Sequence, residues 1–119
     1  MAIDYSKLRE EDLEPVRGIV EYLESKGFEV ELRGGATRGY KSYRDIDLLA
    51  QGSSTDVIRA QFDLEFGRLL SDIKVKTGLE YQLISTRGVP NYVGTKVDVR
   101  NIILSGGTNI DLNFKSVME

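Results

Sequence analysis

The sequence predicts an α+β domain in which helices cover one face of a mixed β-sheet. Two stretches, at 11–26 and at about 55–77, carry apolar residues three or four positions apart, which is the spacing of an amphipathic helix. Shorter stretches with the alternation or the apolar content of strands lie between and after them. The resulting order, helix–strand–strand–helix–three strands, is that of an α+β domain.

The first predicted helix and the two strands after it are defined by periodicity and by glycines. Helical spacing runs through 11–26 and ends at Gly27, since glycine commonly follows the last turn of a helix. FEVELR (28–33) alternates apolar and charged residues, which predicts a strand with one buried side. A glycine-rich loop over 34–44 then leads into a second strand, DIDLLA (45–50).

The second predicted helix is long and amphipathic. Serines and a threonine at 53–55 offer oxygens that can cap its start, and Gly78 ends it. Its predicted buried stripe consists of Ile58, Phe62, Phe66, Leu69 and Ile73.

The last third of the chain predicts three strands. EYQLIST (80–86) is the first, and RGVPNYVGT (87–95) after it is a loop. VDVRNIIL (97–104) and NIDLNFK (109–115) flank SGGT. This arrangement predicts a β-hairpin with a four-residue connection.

Composition limits the chemistry that the chain can perform. At 119 residues, with 40% hydrophobic and 29% charged residues, the chain is expected to form one globular domain over 1–119. It contains no cysteine and no histidine, which excludes disulfides, thiolate nucleophiles and the usual transition-metal ligands. Any metal must therefore be a hard, oxygen-bound ion such as Mg²⁺ or Mn²⁺.

Charge and hydropathy narrow the expected location and partners. The net charge of −3 provides no global basic field, so a plain nucleic-acid-binding domain is disfavoured and any such contact must be local. No apolar stretch is long enough to span a membrane. The N-terminal MAIDYSKLREED is polar and acidic and lacks the apolar core of a signal peptide. The expected location is the cytoplasm, without membrane contact.

Two aspartates, Asp45 and Asp47, alternate with apolar residues in the second predicted strand. They share one face, with side-chain roots about 6.5–7 Å apart, while Ile46 and Leu48 point into the core. At about 5 Å and an effective dielectric of about 20, their repulsion costs on the order of 3 kcal/mol. Water, a neighbouring arginine or a divalent cation can each relieve it. The face is therefore either simply solvated or a cation site.

The glycine pair Gly34-Gly35 directly follows the first predicted strand. Backbone N–H groups there can approach a ligand without obstruction by side chains, and with Arg38 and Lys41 nearby they form a plausible phosphate cradle. Taken alone, two glycines favour a tight turn instead. The combination of a strand, Gly-Gly, a short loop and a strand with D-x-D is much rarer than the glycine pair alone or the D-x-D motif alone.

This combination resembles the signature of the nucleotidyltransferase superfamily, which includes DNA polymerase beta, the CCA-adding enzymes and the minimal nucleotidyltransferases. The family signature is an apolar residue, Gly, then Gly or Ser, a spacer, and acid–apolar–acid–apolar. Here LRGG (32–35) is followed, after residues 36–44, by DIDL (45–48). Arg38-Gly39 also matches the GSxxRG run of the small members.

The resemblance implies a nucleotidyltransferase-like fold and a metal-dependent transfer of a nucleoside monophosphate from an NTP to a hydroxyl group. ATP is the expected donor, so AMP would be transferred. Two Mg²⁺ or Mn²⁺ ions, bound by three carboxylates, stabilise the attacking and the leaving oxygen in this chemistry. Tyr40 and Tyr43 either stack on the base or pack locally. The residues at the motif positions are Asp45 and Asp47 for the ions and Gly34, Gly35, Arg38 and Lys41 for the triphosphate.

Departures from the family pattern bear on partners. Larger members add a helical domain that reads the base and holds the acceptor, and residues 1–119 contain no such domain. Either an all-helical partner protein or a second copy of the chain completes the site, or the domain is of the small kind; the expected acceptor is a hydroxyl of protein or RNA. Gly35 also stands where many members carry a serine, so a hydroxyl contact to phosphate is missing.

Two functions follow from the resemblance. In the first, the chain modifies its acceptor and, by family analogy, acts as the antitoxin of a toxin–antitoxin pair. The alternative is a catalytically inactive nucleotide-binding or scaffolding module on the same fold. The alternative is favoured if the third carboxylate is absent from the site.

The third carboxylate has two candidates, Asp98 and Asp111, each between apolar neighbours on a predicted strand. With SGGT as the hairpin connection, Asp98 would lie opposite Lys115 and Asp111 opposite Ile102. Asp98 would then have an ion-pair partner across the strands, whereas Asp111 would have none. Asp111 is therefore predicted to complete the metal site and to accept the proton of the attacking hydroxyl.

Overall fold

The computed structural model describes residues 3–65, 67–90, 96–104 and 107–116. Its architecture is α+β, as the sequence predicts. The helices are α1 (Glu10–Ser25), α2 (Ser54–Glu65) and α3 (Arg68–Thr77), with 3₁₀ turns at Tyr5–Lys7 and Gly34–Arg38. The strands are β1 (Glu29–Arg33), β2 (Asp45–Gly52), β3 (Tyr81–Pro90), β4 (Lys96–Leu104) and β5 (Asn109–Ser116).

The strands form one mixed, five-stranded sheet in the order β1-β2-β5-β4-β3. Strand β2 pairs in parallel with β5, and the other neighbouring pairs are antiparallel. The parallel pair brings together two segments that lie far apart in the sequence. It also places the aspartates of β2 beside the strand that contains Asp111.

One face of the sheet carries the core. Alternate side chains of β2 and β5 are buried there: Ile46, Leu48, Ala50, Ile110, Leu112 and Phe114. They belong to the same buried cluster as apolar side chains from the helices, among them Val16, Ile19, Leu23, Val57, Ala60, Leu69 and Ile73. The helices thus cover this face, as predicted. The alternate positions of β2 and β5, including Asp45 and Asp47, lie on the opposite face, which we call the open face.

The predicted single helix over about 55–77 is wrong, because two helices, α2 and α3, occupy this stretch. Gly67 precedes α3 with a φ of +74°, a left-handed conformation through which an α-helix does not continue. Ile58, predicted to be buried, is 53% exposed, and the neighbouring Val57 packs into the core instead. The predicted end at Gly78 is confirmed by its N–H donating to the carbonyl of Lys74.

Strand β3 runs further than predicted. It includes residues up to Pro90, so the first part of the predicted loop 87–95 is wrong, and residues 91–95 lie outside the described residues. Pairing with β4, for example Val89 with Val97, holds this part in the sheet. Pro90 is tolerated because it ends a strand at the edge of the sheet. In the described ranges, no helix is both long enough and apolar enough to cross a membrane.

Candidate metal and nucleotide site

The parallel pairing of β2 with β5 gives three aspartates neighbouring positions on the open face. Asp47 is the direct register partner of Asp111, and Asp45 is the partner of Asn109. Asp45 is exposed, while Asp47 and Asp111 are half-buried. The predicted alternation over 45–48 is confirmed, with Ile46 and Leu48 facing the core. Two strands that are remote in sequence therefore present their acidic residues side by side.

Asp45 and Asp47 form no ion pair with any residue that the structure describes. Within the described ranges, no side-chain hydrogen bond or ion pair joins either aspartate to another residue. Asp111 differs from them, because it does have an interaction partner. The repulsion between the two β2 carboxylates is consequently relieved by solvent, or by a cation when one is bound.

The three aspartates do not converge on one point. Among the described residues, no group of three or more acidic side chains is arranged so that it could hold a metal ion. The carboxylates of Asp47 and Asp111 are thus adjacent in register without forming a three-ligand cluster. The donor set nevertheless suits a hard cation, because it consists of carboxylate oxygens, and two of its members have no partner in the described part of the chain.

Position 34 requires glycine, both because of its backbone conformation and because of the nearby Asp47 carboxylate. Its φ is +69°, a region that side chains with a Cβ rarely adopt. A Cβ at this position would overlap Asp47 Oδ2 and lie 3.0 Å from Asp47 Cγ. At Gly35 a Cβ would meet only Tyr43 Cβ, at 4.0 Å, and the φ is not positive. Of the predicted glycine pair, Gly34 is therefore the one that the site geometry requires.

The predicted phosphate-binding loop begins with the 3₁₀ turn Gly34–Arg38. The hydroxyl of Thr37 closes this turn by donating to the Gly34 carbonyl at 2.6 Å, and Gly39 ends it with a φ of +79°. Arg38 and Lys41 are exposed. Their charges are available to an anion that approaches the segment between β1 and β2.

Tyr43 is packed into the protein rather than available to a base. It is 8% exposed, whereas Tyr40 is 80% exposed, so base stacking by Tyr43 is excluded by its burial. The Tyr43 hydroxyl accepts from the backbone N–H of Arg9 at 2.7 Å and donates to Asp12 Oδ2 at 2.6 Å. Burial, together with the bond to Asp12, raises the pKa of Tyr43, so the hydroxyl keeps the proton that it donates.

Arg9 and Asp12 extend this network to β5. Asp12 is 3% exposed, and Arg9 Nε donates to it at 3.3 Å. The Arg9 guanidinium lies 4.3 Å from the Tyr43 ring centroid, and its Nη2 donates to Thr108 Oγ1 at 3.4 Å. Thr108 immediately precedes Asn109, the register partner of Asp45. The network therefore links the start of α1 to the segments that lead into β2 and β5.

Sequence reasoning missed this network. Asp12 lies four residues before Val16 and seven before Ile19, on the apolar stripe of α1. A carboxylate on the buried stripe of a helix requires a hydrogen-bonding partner. The position of Asp12 on this stripe is the sequence signal that predicts its burial. It does not identify Tyr43 as the hydrogen-bonding partner.

Replacing Tyr43 with phenylalanine is expected to lower the free energy of unfolding by about 1–3 kcal/mol. The substitution removes one hydroxyl that serves both the Arg9 N–H and the buried Asp12 carboxylate. Urea unfolding measures the loss. Tyr40→Phe, at an exposed position, is the matched control and should stay within about 0.5 kcal/mol of the parent. Equal stabilities of the two variants would contradict the described network.

The hairpin of β4 and β5 is confirmed, but its predicted register is wrong by one residue. Asn101, not Ile102, lies opposite Asp111, and Asp98 lies opposite Phe114 rather than Lys115. The connection is longer than SGGT alone, since Ile103 rather than Leu104 pairs with Asn109. A shift of one residue exchanges the two faces of a strand. Asp98 therefore takes a register position of the core face, away from the Asp47–Asp111 pair.

No family model matches the sequence, and a comparison with curated proteins finds no relative. The resemblance to nucleotidyltransferases stays a prediction that rests on the motif residues of the sequence.

Proposed function

We propose that this protein is a metal-dependent nucleotidyltransferase with a nucleotidyltransferase-like fold, and that it transfers AMP from ATP to a hydroxyl group. The observation that carries the proposal is the parallel pairing of β2 with β5, in which Asp47 and Asp111 are direct neighbours. Gly34 supports it, because the missing side chain leaves room for the Asp47 carboxylate. A set of carboxylate oxygens in a chain without histidine or cysteine suits Mg²⁺ or Mn²⁺.

In the proposed reaction, each of the three aspartates has a role. Asp45 and Asp47 would hold two divalent ions, and Asp111 would complete this set. The ions, when bound, supply Lewis-acid stabilisation of the attacking and the leaving oxygen. A carboxylate oxygen of Asp111 would take the proton of the acceptor hydroxyl. The hydroxyl oxygen then bonds to the α-phosphorus while the bond between the α-phosphorus and the bridging oxygen breaks, and pyrophosphate leaves.

The segment between β1 and β2 would bind the triphosphate. The backbone of Gly34 and Gly35 opens the 3₁₀ turn at the end of β1, directly beside Asp47. Arg38 and Lys41 are exposed in the same segment and would contribute positive charge to the phosphates. Phosphate and cation would thus be bound by adjoining elements.

The acceptor in this proposal is a hydroxyl of a protein or an RNA. An all-helical partner protein, or a second copy of the chain, would present the acceptor and complete the site. In the toxin–antitoxin interpretation, the partner is also the substrate, and its modification by this chain neutralises it.

The second candidate function is a nucleotide-binding or scaffolding module without catalysis. It is favoured by the finding that no three acidic side chains of the described residues could hold a metal ion together, and by the interaction that Asp111 already makes. Such a module would bind ATP and transfer nothing. Binding and transfer therefore have to be measured separately.

The proposal is tested with each of the four NTPs, labelled at the α-phosphate, in the presence of Mg²⁺ or Mn²⁺ and a lysate of the source organism. Label from ATP is expected to enter protein or RNA only when the metal is present, with release of pyrophosphate. Binding of ATP without transfer would support the second candidate. Absence of any nucleotide binding would overturn both.

Asp111→Asn is expected to lower the transfer rate by about 100-fold or more, because it removes the proposed proton acceptor. Asp98→Asn is the matched comparison and should retain a rate close to the parent, since its register position belongs to the other face of the sheet. Both rates are measured in the metal-dependent transfer assay. Loss of activity in Asp98→Asn with survival in Asp111→Asn would reverse the assignment.

A further inference from the structure

Arg33 lies directly opposite Asp47 in the antiparallel pair of β1 and β2. Side chains at directly opposed positions are within reach of each other, and opposite charges at such positions attract. Arg33 is therefore a cation that the fold places in position to neutralise Asp47. Within the described ranges, however, no ion pair joins Arg33 to Asp47.

The Arg33 guanidinium is bound by Glu31 instead. Its Nε donates to Glu31 Oε2 at 3.0 Å, and its Nη2 lies 2.7 Å from the same oxygen. The two residues are two positions apart on β1, so their side chains share one face of the sheet. The side chains are 27% exposed for Glu31 and 55% exposed for Arg33. A pair this open to solvent contributes little to stability. Its main effect is to fix the position of the positively charged Arg33 guanidinium.

We propose that Glu31 is a positioning residue for the cation site, because it holds Arg33 and thereby leaves the Asp47 carboxylate to a divalent ion. This inference rests on the proposed function, since it requires that Asp45 and Asp47 bind a cation. Without the Glu31 carboxylate, Arg33 turns to the carboxylate across the strand pair. A divalent ion then has to displace the guanidinium from Asp47 before it binds.

The test measures the affinity for Mn²⁺ alone by calorimetry in four proteins: the parent, Glu31→Gln, Arg33→Gln and the double variant. Glu31→Gln is expected to weaken Mn²⁺ binding by about three- to fivefold when Arg33 is present, which is the upper part of the range for a cross-strand ion pair. With glutamine at position 33, the same substitution should change the affinity by less than about twofold, because screening in water weakens the remaining charge effect.

Two results would overturn the inference. An equal loss of affinity in both backgrounds would mean that Glu31 acts through its own charge, and no loss in either would mean that Arg33 does not compete for Asp47. The Asp47→Asn variant shows whether the measured Mn²⁺ binds at the proposed site. If that variant binds Mn²⁺ as the parent does, or if the parent binds no Mn²⁺, the proposed metal site itself fails. If it loses Mn²⁺ and Glu31→Gln acts independently of Arg33, only the role of Glu31 is overturned.

Discussion

Asp47→Asn is expected to lower the rate of metal-dependent nucleotide transfer by at least about 100-fold while leaving the fold intact. Asparagine has nearly the shape of aspartate but lacks the charge that binds the cation. Asp47 is half-buried and, within the described ranges, has no side-chain partner that the substitution would release. Because the change also removes repulsion with Asp45, the free energy of unfolding should be unchanged or higher. Asp45→Asn should behave in the same way.

The measurements are the transfer rate with labelled ATP and urea unfolding of the metal-free protein. Glu24→Gln is the control, since it removes a carboxylate from an exposed position of α1 and should retain the parental rate. Transfer at the parental rate by either asparagine variant would contradict the metal assignment. A large loss of stability would instead indicate that the aspartate supports the fold.

Gly34→Ala is expected to impair both stability and cation binding. The left-handed backbone at this position costs about 1–2 kcal/mol for a residue with a Cβ. The new methyl group would also displace the Asp47 carboxylate, which occupies the same space. Urea unfolding and Mn²⁺ affinity are the two measurements, and both should fall together.

Gly35→Ala is the matched control for this substitution. The neighbouring glycine has no positive φ, and a Cβ there meets an ordinary contact at 4.0 Å. Its stability should be unchanged or higher by a few tenths of a kcal/mol, because alanine reduces the freedom of the unfolded chain. If the two alanine variants were equally stable and bound Mn²⁺ equally, Gly34 would have no special role.

Local sequence pattern was sufficient to predict much of β2 and its site. Alternation of acidic and apolar residues over 45–48 predicts which side chains face the core, and Ile46 and Leu48 are buried as expected. The same pattern does not predict which strand pairs with β2. Pairing of β2 with β5 depends on contacts between segments that are distant in sequence, and periodicity within one segment does not encode them. The adjacency of Asp47 and Asp111 therefore could not be predicted from local pattern and is found only in the structure.

The remaining differences arise where one residue decides between two arrangements. Periodicity over about 55–77 continues across Gly67, and only its left-handed backbone divides the helix. The pairing register of the β4–β5 hairpin differs from the prediction by one residue. The connection around SGGT can have more than one length, and a change of one residue moves the side chains of a strand to the other face of the sheet. Tyr43 carries no sequence signal that separates a base-stacking residue from one that bonds the buried Asp12.

The central claim is that a divalent cation binds on the open face between β2 and β5, beside the turn that starts at Gly34. It is tested most directly by adding Mn²⁺ to the ¹⁵N-labelled protein and recording which amide signals its paramagnetism broadens. The account predicts that signals of residues 34–38, 45–47 and 109–112 are lost first, and that Asp47→Asn abolishes this pattern. Broadening that begins instead at the acidic first turn of α1, formed by Glu10, Glu11 and Asp12, and persists in Asp47→Asn would contradict it.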